Sequence, residues 1–155
     1  PLVSWDRRCV YETVGASSVL LHYASIHDWE KIKNIAPVIS NFIHIGCAIT
    51  VYDNLDDVYT YLDENIFDFV QVMGIAHIGY QGEPFEEASL DIIEHIQKRY
   101  PNLTITVDGG VSIHTITDLS LSGATRFVSG SGVYAGGVAA ENILDLDADI
   151  HHKED

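Results

Sequence analysis

Residues 103–111 read LTITVDGGV, and this stretch decides the fold class. A short apolar run rich in β-branched residues, ended by a carboxylate and two glycines, is typical of a buried strand that leads into a tight turn. Four other runs of this kind bring the number of predicted strands to five, at residues 18–23, 42–49, 69–75, 103–107 and 126–129. Their near-continuous apolarity predicts burial on both faces, which is the pattern of parallel sheets.

Amphipathic stretches separate the five predicted strands. Helix starts are predicted at Asp28, Asp53, Pro84 and Ser112, because these residue types favour an N-cap or the first helical position. Residues 5–14 are predicted to form the end of another helix. Strand starts recur at roughly 22 to 36 residues, the length of a βα unit. The chain is therefore predicted to be α/β with a parallel sheet, and this periodicity fits both an open doubly wound sheet and part of a (β/α)8 barrel.

The composition predicts one globular domain over residues 1–155 and excludes several classes of partner. Of the 155 residues, 46% are hydrophobic, and 23 acidic against 8 basic side chains give a net charge of −15. This charge argues against binding to nucleic acid or to an anionic membrane surface, since both are polyanions. No apolar run is long enough to predict a membrane span. The last residues, from about 145 to 155, are predicted to form an acidic tail.

The cysteines and the first residue bear on the cellular context. Cys9 and Cys47 occur in neither a CxxC nor a metal-finger spacing, so a reduced, cytoplasmic setting is expected. Pro1 is not an initiating Met, and the residues after it do not form a signal peptide. We therefore expect the chain to be processed, excised or truncated.

The ends of the predicted strands carry the residues best suited to chemistry, because both candidate architectures bind ligands at the C-terminal ends of their strands. Gly109 and Gly110 follow one strand and Gly130 follows the next. Such glycines are predicted either to bind a phosphate through their N–H groups or to make tight turns. Asp108 ends an apolar strand, where an unpaired carboxylate is costly. It is predicted to act either as a general acid/base or metal ligand, or as a cap for the following helix.

Taken together, the strand ends give the chain a family resemblance. From about Trp5 to Tyr134 it resembles the ribulose-phosphate 3-epimerases, a family of ribulose-phosphate-binding barrels. The residues that carry the resemblance are, in chain order, Leu21-His22, Val72-Met73, the loop 79–85 (GYQGEPF), the run 106–111 (TVDGGV), Gly123-Ala124 and the run 129–134 (SGSGVY). The ordered set is specific, although each piece alone is not. The resemblance implies a (β/α)8 TIM barrel of which this sequence holds the C-terminal five βα units, strands four to eight.

The resemblance also implies an activity and a role for named residues. In that family a divalent metal and two aspartates epimerise a phosphorylated ketose at carbon 3, one aspartate removing a proton and the other returning it on the opposite face. By resemblance, Asp108 is the seventh-strand acid/base and a ligand of the metal (Zn, Fe, Mn or Co), and Met73 lines the reacting face. The glycines and the serine that would hold the substrate and its phosphate are Gly82, Gly109, Gly110, Gly130 and Ser131.

Two departures from the family pattern bear on the substrate and on completeness. The family's sixth-strand loop reads like Asn-Pro-Gly-Phe-Gly-Gly-Gln, whereas residues 76–83 read AHIGYQGE, one residue longer. Three of the family's four metal ligands belong to its second and third strands, which this sequence does not include. The chain alone is therefore expected to lack epimerase activity.

Three functions are compatible with these observations. The leading interpretation is an isomerase segment that acts in the pentose phosphate pathway, on the conversion of D-ribulose 5-phosphate to D-xylulose 5-phosphate. A ketohexose-phosphate epimerase or a lyase of the same barrel family is the second. A non-catalytic phosphate-binding module is the third. Because the first and last strands would leave open sheet edges, a homo-oligomer is also expected.

Overall fold

The computed structural model describes residues 16–77, 79, 83–134 and 136–151, apart from the side chain of residue 151. Five strands form one sheet: β1 Ser18–His22, β2 His44–Ile49, β3 Phe69–Met73, β4 Thr104–Asp108 and β5 Arg126–Val128. All neighbouring pairs are parallel, and the strands lie in the sheet in the order they have in the chain. The five predicted strands and the parallel sheet are confirmed.

The strand order distinguishes the two architectures that the sequence left open. In a doubly wound sheet the chain starts near the middle and reverses direction, so early strands lie at the centre. Here every new strand adds to the same side of the previous one, as in the wall of a (β/α)8 barrel. The fold is a barrel truncated to five of its βα units.

Six helices occur in the described part of the chain. They are α1 Trp29–Ile39, α2 Leu55–Asp63, α3 Ala88–Arg99, α4 Ile116–Ser122, α5 Ser131–Tyr134 and α6 Ala139–His151, with a 3-10 turn at Tyr23–Ser25. None has the length and apolarity needed to cross a bilayer. The helix predicted at residues 5–14, together with Cys9, lies outside the described residues.

One of the four predicted helix starts is confirmed and three are wrong. Asp28 caps α1, where its carboxylate accepts a hydrogen bond from the N–H of Lys31. Asp53 does not cap α2, because the N–H and the hydroxyl of Thr50 both donate to its carboxylate, at 2.7 and 2.9 Å. The neighbouring Asn54 takes the cap position instead.

The other two helices begin later than predicted because the residues before them form loops and turns. The start of α3 is at Ala88 rather than at Pro84, since residues 83–87 cross the end of β3. The cap of α4 is at Thr115 rather than at Ser112, since residues 112–115 form a separate turn. Both displaced starts leave more chain at the C-terminal ends of the strands.

One face of the sheet packs against the helices and forms the core. Alternate residues of three strands supply the sheet side of this core: Ile45, Cys47, Ile49, Val70, Val72, Ile105 and Val107. They pack against apolar residues of α2 and α3, namely Val58, Leu62, Ile93 and Ile96. Cys47 is fully buried, and this burial, with a smaller effect of Asp53, raises the pKa of its thiol to about 12. Such a thiol is a packing group with no reactive thiolate near neutral pH.

The opposite face of the sheet is the more polar one, and in a closed barrel it would be the interior. The register places Gln71 beside Thr106 and Met73 beside Asp108 on this face. At the N-terminal end of the strands the ring of Phe69 covers Gly46, with the Arg126 guanidinium 5.4 Å from the ring centre. This face therefore carries an aromatic ring at the N-terminal end of the strands and polar groups toward the C-terminal end.

The predicted acidic tail begins inside a helix. Residues 145–151 form the second half of α6, and Leu146 within them is 6% exposed because it packs into the core. Leu146 and Ile150 are four residues apart and so share the face of α6 that packs against the core, a pattern that the overall charge of the stretch conceals.

Candidate functional site

The candidate site lies at the C-terminal ends of the strands, on the polar inner face. The sheet brings Met73 at the end of β3 and Asp108 at the end of β4 side by side. The ends of β1 and β2 contribute a neighbouring cavity of about 290 Å³, lined by His22, Ala24, Ser25, Ala48, Thr50 and Asp53. The structure thus places two of the residues singled out in the sequence next to each other, beside an open space.

Asp108 is a half-buried carboxyl group that accepts one hydrogen bond from the residues the structure describes. Its Oδ2 accepts from Nε2 of Gln71 at 3.1 Å. Burial raises its pKa above the ordinary value, and the hydrogen bond from Gln71 and the charge of His22 oppose the rise. A raised pKa suits a group that must both take and return a proton.

The alternative role of Asp108, as a cap for the following helix, is not observed. Thr115 occupies the N-cap position of α4, and its hydroxyl donates to the Gly110 carbonyl at 2.7 Å. The turn is closed by the N–H of Ser112, which donates back to the Thr115 hydroxyl at 3.0 Å. The Asp108 carboxyl is therefore not used by the secondary structure that follows it.

The backbone conformation at the end of β4 requires glycine at both Gly109 and Gly110. Their φ angles are +95° and +69°, in the left-handed region that favours glycine. A Cβ on Gly110 would lie 2.8 Å from Cδ2 of Phe85, whose loop is held to the end of β3 by the Glu86 N–H donating to the Gly74 carbonyl. These two glycines do make a tight turn, and their possible contact with substrate stays a prediction.

Gly130 and Ser131 differ from that pair because they face open space. A Cβ on Gly130 would meet nothing within 4 Å, and its φ is not in the left-handed region. Among the described residues, no hydrogen bond is donated by the N–H groups of Gly130 and Ser131. The hydroxyl of Ser129 donates to the Val111 carbonyl at 2.8 Å and so ties this loop to the end of β4. The loop could accept an anion without rearrangement of its neighbours.

The described residues do not by themselves form a metal site. No group of three or more His, Cys, Asp or Glu side chains within them is arranged to hold an ion. Asp108 supplies one carboxylate, whereas divalent ions in proteins bind four or more ligands. Gly82, predicted to bind the substrate, lies outside the described residues.

The sequence analysis missed Gln71. It occupies the middle of β3, FVQVM, is 8% exposed, and its amide nitrogen also lies 3.6 Å from Sδ of Met73. A single amide inside an otherwise apolar strand was the available signal, because a buried amide needs a partner.

Solved structures share this fold over most of the chain. KGPDC from Streptococcus mutans, solved as a complex, matches 88% of this chain and 62% of its own length, with a TM-score of 0.69 and 16% identity. The 3-hexulose-6-phosphate synthase from Salmonella typhimurium matches the same shares, with a TM-score of 0.67 and 19% identity. At such identities the likeness establishes the fold alone.

Sequence comparisons are more specific. The model of the ribulose-phosphate 3 epimerase family matches residues 7–134. The ribulose-phosphate 3-epimerase of Schizosaccharomyces pombe is 29% identical over 120 residues, 77% of this chain and 50% of that protein. The Escherichia coli K12 enzyme of the same name is 27% identical over 130 residues, 80% of this chain and 55% of that protein. The chain spans about half the length of these relatives.

Proposed function

Because the chain belongs to the ribulose-phosphate 3-epimerase family, we propose that it supplies the C-terminal part of a carbon-3 epimerase of a ketopentose phosphate. In this proposal residues 1–155 are a single domain, a partial ribulose-phosphate-binding barrel. The reaction is the interconversion of D-ribulose 5-phosphate and D-xylulose 5-phosphate. Strands outside this sequence complete the barrel and its active site.

The observation that carries the proposal is the placement of Asp108. It is half-buried at the end of β4, beside Met73 and between two glycine-containing loops, and it is not used as a helix cap. Epimerisation at one carbon requires removal of a proton on one face and delivery on the other. Asp108 would exchange the proton on one of the two faces, and a second acid/base from outside this chain would act on the other.

The phosphate of the substrate would bind at Gly130 and Ser131, with Gly110 and Gly82 nearby in the family pattern. A net charge of −15 repels an anion at long range, so local N–H donors must supply the attraction. The open space at Gly130 supports this location. Met73 and Gly109 would border the reacting carbon.

A divalent metal is part of the proposal, with Asp108 as the one ligand that this chain contributes. When bound, such an ion would stabilise the negative charge that develops beside the reacting carbon. The remaining ligands would come from the strands that this sequence lacks.

The test is a chimaera in which this chain follows the first three βα units of the Escherichia coli relative. The chain alone is expected to show no turnover, whereas the chimaera interconverts the two pentulose phosphates and exchanges the carbon-3 proton with solvent deuterium. Asp108→Asn should lower turnover on the order of 100-fold or more. Asp68→Asn is the matched control, because Asp68 accepts from the Ile45 N–H at the opposite end of the strands.

Two results would contradict the proposal. Undiminished deuterium exchange in Asp108→Asn would remove this residue from the reaction. A folded chimaera that binds the sugar phosphate but never turns it over would favour the non-catalytic phosphate-binding module.

A further inference from the structure

We propose that Gln71 is a positioning residue: its amide nitrogen fixes Oδ2 of Asp108 and leaves Oδ1 as the oxygen that exchanges the substrate proton. The inference rests on the proposed function of Asp108 as an acid/base. It starts from the position of Gln71 in the strand, since the residues on either side of it, Val70 and Val72, belong to the apolar core.

Gln71 reaches Asp108 because of the sheet register. Gln71 pairs with Thr106, one level below Asp108, and Met73 is level with Asp108 itself. The amide therefore extends along the inner face toward the strand end and meets the carboxyl at 3.1 Å. With 8% of its surface exposed, Gln71 is held by the barrel wall and has little freedom to move away.

The chemistry of the pair settles which amide atom faces Asp108. An ionised carboxylate only accepts hydrogen bonds, so the NH2 group and not the amide oxygen must be directed at it. No hydrogen bond to Oδ1 is present among the described residues. Among the described residues one oxygen is therefore anchored, and the other keeps its lone pairs for a substrate proton within hydrogen-bond reach.

The neighbouring Thr106 shows that buried polarity on this face does not by itself lead to a contact with Asp108. Thr106 is 2% exposed, and its hydroxyl is buried without a hydrogen-bond partner in the described part of the chain. It lies directly beside Gln71 in the register, yet it makes no bond to the carboxyl. Thr106→Val is consequently the matched control for the loss of a buried polar group at this level.

The first experiment follows the Asp108 carboxyl by NMR in the 155-residue chain, as a function of pH. Gln71→Leu should raise the pKa of Asp108 because it removes a hydrogen bond to the charged form, and it should allow the side chain to sample more than one χ1 rotamer. Thr106→Val should change neither property. The charge of His22 also acts on this carboxyl, so the His22 resonances are recorded in parallel.

The second experiment measures kinetics in the chimaera. Gln71→Leu should lower kcat roughly 10-fold with little change in KM, because the carboxylate is present but less well oriented. Gln71→Asn, which shortens the side chain and withdraws the donor, should behave like Gln71→Leu if the contact matters. Gln71→Glu keeps the shape but loses the donor when ionised, and should lower kcat as well.

The outcomes separate this inference from the proposed function. The titration needs no turnover, so a changed Asp108 pKa in the 155-residue chain, together with a folded chimaera that binds the sugar phosphate without turning it over, would keep the positioning contact and contradict the epimerase proposal. If Gln71→Leu changes neither the Asp108 titration of the 155-residue chain nor the kcat of an active chimaera, the positioning role is overturned and the epimerase proposal stays intact.

Discussion

Replacement of Gly130 by Asp tests the location of the phosphate site with little structural disturbance. A side chain there enters open space, since a Cβ meets nothing within 4 Å, so the added carboxylate acts mainly through its charge. At about 5 Å from a bound phosphate, the repulsion per unit charge is about 1 kcal/mol in bulk water and about 3 kcal/mol at an effective dielectric constant of 20. At this exposed loop we expect sugar-phosphate affinity to fall roughly 10- to 100-fold.

Titration calorimetry with D-ribulose 5-phosphate and with inorganic phosphate measures this loss. Gly130→Ala and Gly130→Asn are the matched controls, because they add a side chain of small or equal size without charge. Both should keep most of the affinity, and the loss in Gly130→Asp should shrink as salt is added. Equal weakening by Asn and Asp would show that space rather than charge matters there. Unchanged affinity in Gly130→Asp would place the phosphate elsewhere.

Three other predictions concern stability and assembly. Gly46→Ala places a Cβ inside the van der Waals surface of the Phe69 ring, so overpacking should destabilise the fold by about 1–3 kcal/mol. The melting temperature should then fall by roughly 2–12 °C; a melting temperature equal to that of Gly130→Ala would refute the packing of Phe69 on Gly46. Burial raises the pKa of Asp108 above its ordinary 3.8, so the folded state binds this proton more tightly than the unfolded chain does. The stability contributed by Asp108 is thus lost as pH rises from 3.8 through the raised value. Denaturant unfolding at several pH values should show Asp108→Asn gaining stability relative to the parent over this interval, and a constant difference would contradict the raised pKa. Finally, β1 and β5 each pair with one strand among the described residues. Open edges favour pairing with another chain, so sedimentation of the 155-residue chain should show an oligomer. A cooperatively melting monomer would argue against open edges.

The sequence predicted the sheet better than the helix starts. Strands depend on local apolar runs, and all five were recognised, because a buried parallel strand leaves an uninterrupted signal. A helix start depends on which polar side chain accepts a hydrogen bond from the free N–H groups of the first turn. Asp53 is bound by Thr50, so Asn54 takes its place, and no local rule ranks these two neighbours.

The site shows the same division between local and distant information. Asp108 stands out in the sequence because it ends an apolar strand and precedes two glycines. Gln71 did not stand out, since its importance depends on a residue 37 positions away that only the register brings within 3.1 Å. The difference between Gly110, packed under Phe85, and Gly130, in open space, is likewise a tertiary property.

The strand order has a consequence for the order in which the chain folds. Partners in neighbouring strands are 20 residues apart for Thr106 with Arg126 and 35 apart for Phe69 with Thr104, and the other two pairings fall between these values. The entropic free-energy cost of closing these loops differs by only about 0.5 kcal/mol. The lengths of the connections therefore do not favour any one strand pair to form first. The apolar contacts between β2, β3 and β4 and the helices that cover them are left to determine which pair forms first, and the outer strands would join a sheet already begun at its centre.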